Sequence, residues 1–490
     1  MSRPVGTFCL VLHSHLPWLA HHGAWPVGEE WLYQAWAQSY LPVVDVLQRF
    51  AAEGRRDVLT LGVTPVLAAQ LDDPHCLRGM HDWLGGWVQR AHLASPRLPD
   101  LAAREHRTAT AALADFEQQW QHGASPVLRR LVDERTVELL GGPLAHPFQP
   151  LLHPTVRDFA LREGLADTAL RLGHRPAGIW APECGYAPGM EHGYAAAGVE
   201  RFVVDGPALH GDTAAAHRVG DTDVVCFGRD LDVSYRVWSP RSGYPGGRDY
   251  RDFHTFDHPT GLKPARVTGR DVAPEHKRPY DPDRAAEATA RDVADFVGVV
   301  RARLDALARQ HDRPGLVVVA YDTELFGHWW HEGPAWLAGV LRELPAAGIR
   351  VTTLRGALDA GHLGSPVELP ASSWGSGKDW HVWDGPQVAD LAADNAGLQQ
   401  QLLAGLAEGT ARDARADQAI REVMLALAGD WAFMVSKDSA PDYARRRARC
   451  HADRARALLA GGGDVAGWRA QSPFGRLDAR GLGGRTSCAC

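Results

Sequence analysis

Short β-branched or apolar runs recur along this chain at residues 8–12, 58–62, 137–140, 178–181, 201–204, 224–227, 316–321 and 350–354. Between many of them the apolar residues fall at helical spacing, at 30–53, 156–172, 189–197, 284–310 and 334–344, and several of these segments open on a proline or a capping residue. A strand joined to the next through a helix comes back to the same end of the sheet and pairs in parallel. Repeated β-then-α therefore restricts the fold to a parallel barrel or a doubly wound sheet.

The residues at the end of each run separate these two. His13, Ser14 and His15 come after the first, Thr64 after the second, His146 after the third and Glu183 after the fourth, while Asp322 and Glu324 end the run near 320. In a TIM-like barrel every strand end opens on one face, where chemistry collects, whereas a doubly wound sheet gathers its site at one crevice. Polar residues spread over so many strand ends favour an α/β fold of the TIM-like barrel type.

The segment 71–125 is helical, contains tryptophan and is too long for a plain crossover, which makes it an inserted helical subdomain. The stretch 236–280, rich in Gly, Pro, Arg and aromatic residues, reads as an irregular lid or binding loop. Beyond Pro370 the strand signal stops and helical patterns take over at 386–406, 411–428 and 442–459. The expected division is a barrel from 1–70 and 126–365, the insertion at 71–125, a C-terminal helical domain at 366–473, and a disordered Gly- and Arg-rich tail at 474–490.

Charge and composition exclude several classes. A net charge of −7 works against nucleic acid, whose binding rests on neutralising phosphates. No run approaches the roughly 20 apolar residues that span a bilayer. The seven cysteines, Cys9, Cys76, Cys184, Cys226, Cys450, Cys488 and Cys490, lack zinc-site pairing and disulfide-scaffold density, so a cytoplasmic location is expected. The 17 tryptophans supply flat apolar surfaces suited to stacking on sugar rings.

Two segments carry the chemistry. GIWAPECGYAP (178–188) places Glu183 where an apolar run ends, and GLVVVAYDTELFGHWW (315–330) ends another run in Asp322 and Glu324. Two carboxyl groups at different strand ends suit glycosidic bond chemistry, one as nucleophile or base and the other as proton donor. Side chains two apart on a strand share a face, so Asp322 and Glu324 both point inward if the strand continues that far. Strand-end acids also cap helices or pair with arginine, and His13-x-His15 with a late aspartate is how amidohydrolases hold a divalent metal. A binding protein would keep the tryptophans without needing two acids.

The motifs LVLHSHLPW (10–18), WAPECGY (180–186), YDTELFGHWW (321–330), SSWGSGKDWHVW (372–383) and GDWAF (429–433), in this order over nearly the whole chain, resemble glycoside hydrolase family 57, and within it the 1,4-α-glucan branching enzymes. The resemblance implies a distorted (β/α)7 barrel, an inserted helical subdomain and a C-terminal helical domain that walls the substrate groove. It implies a retaining reaction with Glu183 as nucleophile and Asp322 as general acid/base, and an α-1,4-glucan as donor and acceptor. His13, His15 and His146 would line the sugar subsite beside the scissile bond; Trp238, Trp374 and Trp383 would guide the glucan; Asp430 would serve either the substrate wall or helix packing. No cofactor or metal is implied.

Family members with 4-α-glucanotransferase or amylase activity share the acid pair. Branching enzymes of the family carry a tyrosine on a loop beyond the strand after the nucleophile, yet here 205–221 contains none, and the nearest, Tyr235 and Tyr244, fall later. The balance of transfer over hydrolysis is the property this departure touches.

Overall fold

A computed structural model describes residues 4–239, 241–406 and 411–483. Its centre is β1 (Gly6–Ser14), buried at every position and flanked by β2 (Leu59–Val63) and β8 (Gly315–Asp322), both parallel to it. From β2 the sheet continues through β3 (Val137–Gly141), β4 (Gly178–Ile179), β5 (Arg201–Asp205) and β7 (Val225–Arg229), all parallel. A short β6 (Ala216–Arg218) pairs antiparallel with β7. The open ends of the sheet meet where Asp230 N–H donates to Val318 O at 2.8 Å, which brings β7 against β8 and closes a distorted barrel. β9 (Arg350–Thr352) runs beside Thr7–Cys9, on the edge of β1 that β2 occupies further along.

The strands form because their residues are apolar on both faces, as a parallel sheet covered by helices requires. In β8 the run Leu316–Tyr321 is wholly buried, and only Asp322 at its end is partly accessible. The helices differ from the sequence expectation in one instructive place. Residues 29–52 form one continuous rod, but Trp36–Tyr40 is a π turn. Such turns carry an extra residue that redirects side chains, often at functional sites. Here Ser39 Oγ donates to Thr323 O (2.7 Å) and Tyr40 OH donates to Glu324, so the irregular turn grips the turn after β8.

The insertion is an antiparallel pair of helices, Pro74–Ala94 and Pro99–Asp115. It is tied to the 250–280 region by Arg97, which forks onto both Asp257 oxygens (2.7 and 2.9 Å), and by Arg251 on Glu105 (2.7 Å). The stretch 236–280 is less irregular than expected at its start, because helix Leu231–Trp238 reaches into it and places Trp238 at a helix end.

In the C-terminal part, helices Ala389–Gly405, Ala414–Ala426 and Pro441–Leu459 match the sequence pattern, and shorter helices, Gly429–Ser436 among them, join these. Residues 474–483 depart from the expected disorder. Phe474, Leu477 and Leu482 are buried, and the buried guanidinium of Arg421 donates to Phe474 O at 2.8 Å and Leu477 O at 3.3 Å. A Gly- and Arg-rich composition conceals this, since the packing partner is an arginine 53 positions earlier. Residues 484–490, with Cys488 and Cys490, lie outside the described residues. Cys9, Cys76, Cys184, Cys226 and Cys450 are free thiols. Among the described residues no helix is long and apolar enough to cross a membrane.

The loop after β3 is fixed by close packing on helix Pro154–Leu172. Leu144 N–H donates to Ala160 O (2.9 Å), and a Cβ at Gly164 would lie 2.2 Å from Gly142 O. Backbone cannot yield as a flexible side chain would. Gly164→Ala is expected to lower stability by about 2–3 kcal/mol, read as a lower urea midpoint; an unchanged midpoint would contradict this packing.

Candidate active site

β4 lasts only two residues, and the chain then turns through Pro182–Cys184 with Glu183 at φ 61°, ψ 19° and Cys184 at φ 50°. A left-handed conformation costs a non-glycine residue roughly 1–2 kcal/mol, so something must hold it. Cys184 and Gly185 N–H donate back to Ala181 and Pro182 O, each at 2.8 Å, and Trp374 N–H donates to Glu183 O at 2.8 Å. Tyr186 and Ser372 exchange backbone hydrogen bonds beside them. The result places the Glu183 carboxyl with Oε2 on the Trp374 indole N–H (2.7 Å) and Oε1 3.7 Å from His146 Nε2.

Asp322 ends β8 opposite His13 of β1 in the parallel register. Burial, reinforced by the charges of Glu324 and Glu183 and opposed by Arg229, pushes its carboxyl well above the usual range. Such a group keeps its proton where an ordinary aspartate has lost it. The expectation that Glu324 shares its face does not hold, because the strand stops at Asp322 and gives way to a tight turn, Thr323–Leu325. Glu324 is buried instead and accepts from Tyr40 OH and from His15 N–H (3.0 Å). Burial pushes its carboxyl up to about 7 against those hydrogen bonds.

Three imidazoles and an indole bridge the acids. His13 stacks on Trp180 (4.6 Å) and His146 (4.9 Å), and His146 stacks on His15 (3.8 Å). Burial, followed by the neighbouring imidazoles, pulls His13 well below its usual value; burial and His15 lower His146 as well, against the opposing pull of Glu183. Both therefore stay neutral. His13 Nδ1 and His146 Nε2 make no hydrogen bond among the described residues. Their rings lie face to face, whereas a metal site needs nitrogens converging on one point, and among the described residues no His, Cys, Asp and Glu group has that arrangement.

His15 is clamped at both nitrogens, Nδ1 to Thr64 Oγ1 (3.0 Å) and Nε2 to Asp430 (2.9 and 3.0 Å). Asp430 comes from helix Gly429–Ser436, which the His146 carbonyl anchors by accepting from Gly429 N–H (3.1 Å). The C-terminal helices thus complete the site directly.

Of the aromatics named from sequence, Trp374 lies 4.8 Å from Trp180 and 6.3 Å from Trp238. Trp383 departs from the expectation of a chain-guiding surface, since it is 2% exposed and stacks on Phe148 at 4.2 Å as a packing support. Trp329, 40% exposed and 6.4 Å from Trp238, occupies the surface instead.

Arg229, at the end of β7, escaped the sequence reading although CFGRD repeats the strand-then-polar pattern. Its Nε donates to Asp205 (2.8 Å), which also holds Lys378 (2.6 Å), and its guanidinium lies 5.1 Å over the Trp374 ring. Its Nη1 makes no hydrogen bond among the described residues. The 205–221 stretch is largely packed away, and Tyr244 is committed to Asp295.

Comparison with known proteins fits this geometry. The family model described as Glycosyl hydrolase family 57 matches residues 9–362, and one described as 1,4-alpha-glucan branching enzyme, C-terminal, matches 399–464. A Mycobacterium tuberculosis protein named "Probable 1,4-alpha-glucan branching enzyme" is 58% identical, over 98% of this chain and 99% of its own. The crystal structure of a GH57-type branching enzyme from Pyrococcus horikoshii superposes with a TM-score of 0.92 at 28% identity, covering 98% of this chain and 97% of its own. A GH57 branching enzyme from Thermococcus kodakaraensis, in complex with glucose and additives, gives 0.93 at 27% identity, covering 98% and 96%.

The His15–Asp430 contact yields a pH test. Burial pushes the Asp430 carboxyl up, but the charge and hydrogen bond of His15 outweigh it and hold the group below its ordinary value. A depressed carboxyl stabilises the fold above the unfolded-state pKa of about 3.9, and that contribution is lost as pH falls through the lower folded-state value. Asp430→Asn is expected to cost about 1–3 kcal/mol at neutral pH in urea unfolding, with the gap to wild type closing in acid. A gap independent of pH would contradict the pairing.

Proposed function

Since the chain belongs to glycosyl hydrolase family 57, shown by the family match over residues 9–362, we propose that it is a 1,4-α-glucan branching enzyme that cleaves α-1,4 bonds and re-forms them as α-1,6 branches. The 58% identical relative, aligned over 99% of its own length, and the fold shared with two branching enzymes support the reading. The observation that carries it is the pair of carboxyl groups in unlike surroundings: Glu183, held by an indole N–H, and Asp322, at the partly accessible end of β8 and pushed well above the usual carboxyl range.

In this reading Glu183 attacks the anomeric carbon of the donor glucan while Asp322 protonates the departing 4-oxygen, leaving a glycosyl ester on Glu183. Asp322, now charged, takes the proton from an acceptor 6-hydroxyl, which displaces Glu183 from the same carbon. Two inversions retain the α configuration. His13 and His146, neutral and with free ring nitrogens, hydrogen-bond the sugar beside the cleaved bond. His15 is oriented by Asp430 and Thr64. Trp374, Trp238 and Trp329 stack on the glucan chain, and Trp383 supports them from behind. The acceptor is a second glucan segment, and both steps need only carboxyl chemistry, with no metal or cofactor.

We also assign residues 1–70 and 126–365 to the catalytic barrel, 71–125 to the inserted subdomain and 366–473 to the helical domain. A cytoplasmic location is supported by the buried free thiols of Cys9, Cys184 and Cys226. The packed, tyrosine-free 205–221 segment favours appreciable hydrolysis beside transfer.

Amylose incubated with the enzyme and then debranched is expected to release new side chains, with reducing ends rising in parallel. Reducing ends alone would leave an amylase, and linear chains of changed length a 4-α-glucanotransferase. Glu183→Gln is expected to abolish both products and Asp322→Asn to lower turnover about 10²–10⁴-fold. Trp374→Phe keeps the ring but removes the donor to Glu183, and a loss of about 10- to 100-fold in kcat/KM is expected, matching one charge-assisted hydrogen bond. Unchanged kcat/KM in that variant would contradict the role given to the indole.

A further inference from the structure

We propose that Glu324 is a positioning residue for the reaction, held by Tyr40 so that the proton of the Asp322–Glu324 pair resides on Asp322. This rests on the reading of Asp322 as the general acid.

The geometry is asymmetric. Glu324 and Asp322 are two residues apart on either side of the bend where β8 gives way to Thr323–Leu325, and each acts on the other electrostatically. Glu324 Oε1 accepts two hydrogen bonds, from Tyr40 OH in the π turn and from His15 N–H at 3.0 Å after β1. Among the described residues the Asp322 carboxyl accepts none, and the charges facing it are Glu324, Glu183 and Arg229. The titratable groups facing Glu324 from the other elements are Tyr40 and His15, the latter paired with Asp430.

Two neighbouring buried carboxyl groups titrate as a unit, and the first proton goes to whichever gains less from being charged. Donors favour the charged form, so two of them on Glu324 and none on Asp322 send the proton to Asp322. The anion left on Glu324 then repels charge on Asp322 and extends to higher pH the range in which it can donate. Glu324 itself is 3% exposed and its Oε1 is taken up by Tyr40 and His15, so it is committed within the protein. The π turn acquires a purpose in this arrangement, because it sets Ser39 and Tyr40 together on the turn that carries both acids.

The test is the pH profile of kcat/KM on a maltooligosaccharide for wild type, Glu324→Gln and Tyr40→Phe. The amide introduced by Glu324→Gln can still accept from Tyr40 and His15 but carries no charge, so Asp322 loses its proton earlier. The basic limb is expected to move down by about one pH unit, giving about tenfold lower activity on the alkaline side and near wild-type activity on the acid side. Tyr40→Phe removes one donor from Glu324, sends part of the proton there, and is expected to shift the limb the same way by less. A uniform loss at all pH values, or an upward shift, would overturn the proposal.

An aryl maltooligoside with a strongly acidic phenol leaves without protonation, so the wild-type basic limb is expected to vanish with it. If that limb persists, the assignment of Asp322 as acid fails, and the proposal with it. If it vanishes but neither variant moves the limb on the natural bond, only the role of Glu324 and Tyr40 is refuted.

Discussion

A tryptophan 191 positions away determines where Glu183 points. The backbone at Glu183 and Cys184 is left-handed, a conformation non-glycine residues avoid, and Trp374 compensates by donating twice, from its backbone to Glu183 O and from its indole to Glu183 Oε2. Trp374 is in turn held under the Arg229 guanidinium, whose charge is met by Asp205, and Asp205 also holds Lys378 of the loop that carries Trp374. Removing Arg229 or Asp205 loosens the others, because these two are buried at the centre of the ring.

The two acids differ through their surroundings and not through their chemistry. Burial, then the charges of Glu324 and Glu183, push the Asp322 carboxyl up, while the Trp374 indole N–H donates to Glu183. Beside them His13 and His146 stack on each other, and burial pulls both imidazoles down, so they can donate or accept without adding charge. The C-terminal helices belong to this arrangement, since Asp430 orients His15 and the backbone of Gly429 fixes His146. An isolated barrel would lack both.

Much of the architecture was legible because it depends on periodicity. The strands of the barrel and the long helices announce themselves as apolar runs and 3.6-residue patterns, and the strand-end position marks Glu183, Asp322, His13 and His146. What the pattern hides is where a strand stops. β8 ends at Asp322, so Glu324 turns away from the cleft to Tyr40, a change of direction decided by a tertiary contact. Trp383 shows the converse limit, as its motif is indistinguishable from that of Trp374 although it packs flat on Phe148. Arg229 was hidden by its residue type, since an arginine at a strand end reads as an ordinary ion-pair partner. The segment 474–483 was obscured by composition, its order coming from Arg421 and not from its own sequence.

The central claim is that the Glu183 carboxylate becomes covalently bonded to the glucan. The direct measurement is mass spectrometry of an Asp322 variant, slow to release the intermediate, after reaction with an α-maltooligosyl fluoride, whose leaving group needs no acid. The account expects one added oligosaccharide mass, mapped by proteolysis to the peptide containing Glu183. A label on any other carboxylate, or complete turnover with no labelled species and an inverted product, would contradict it.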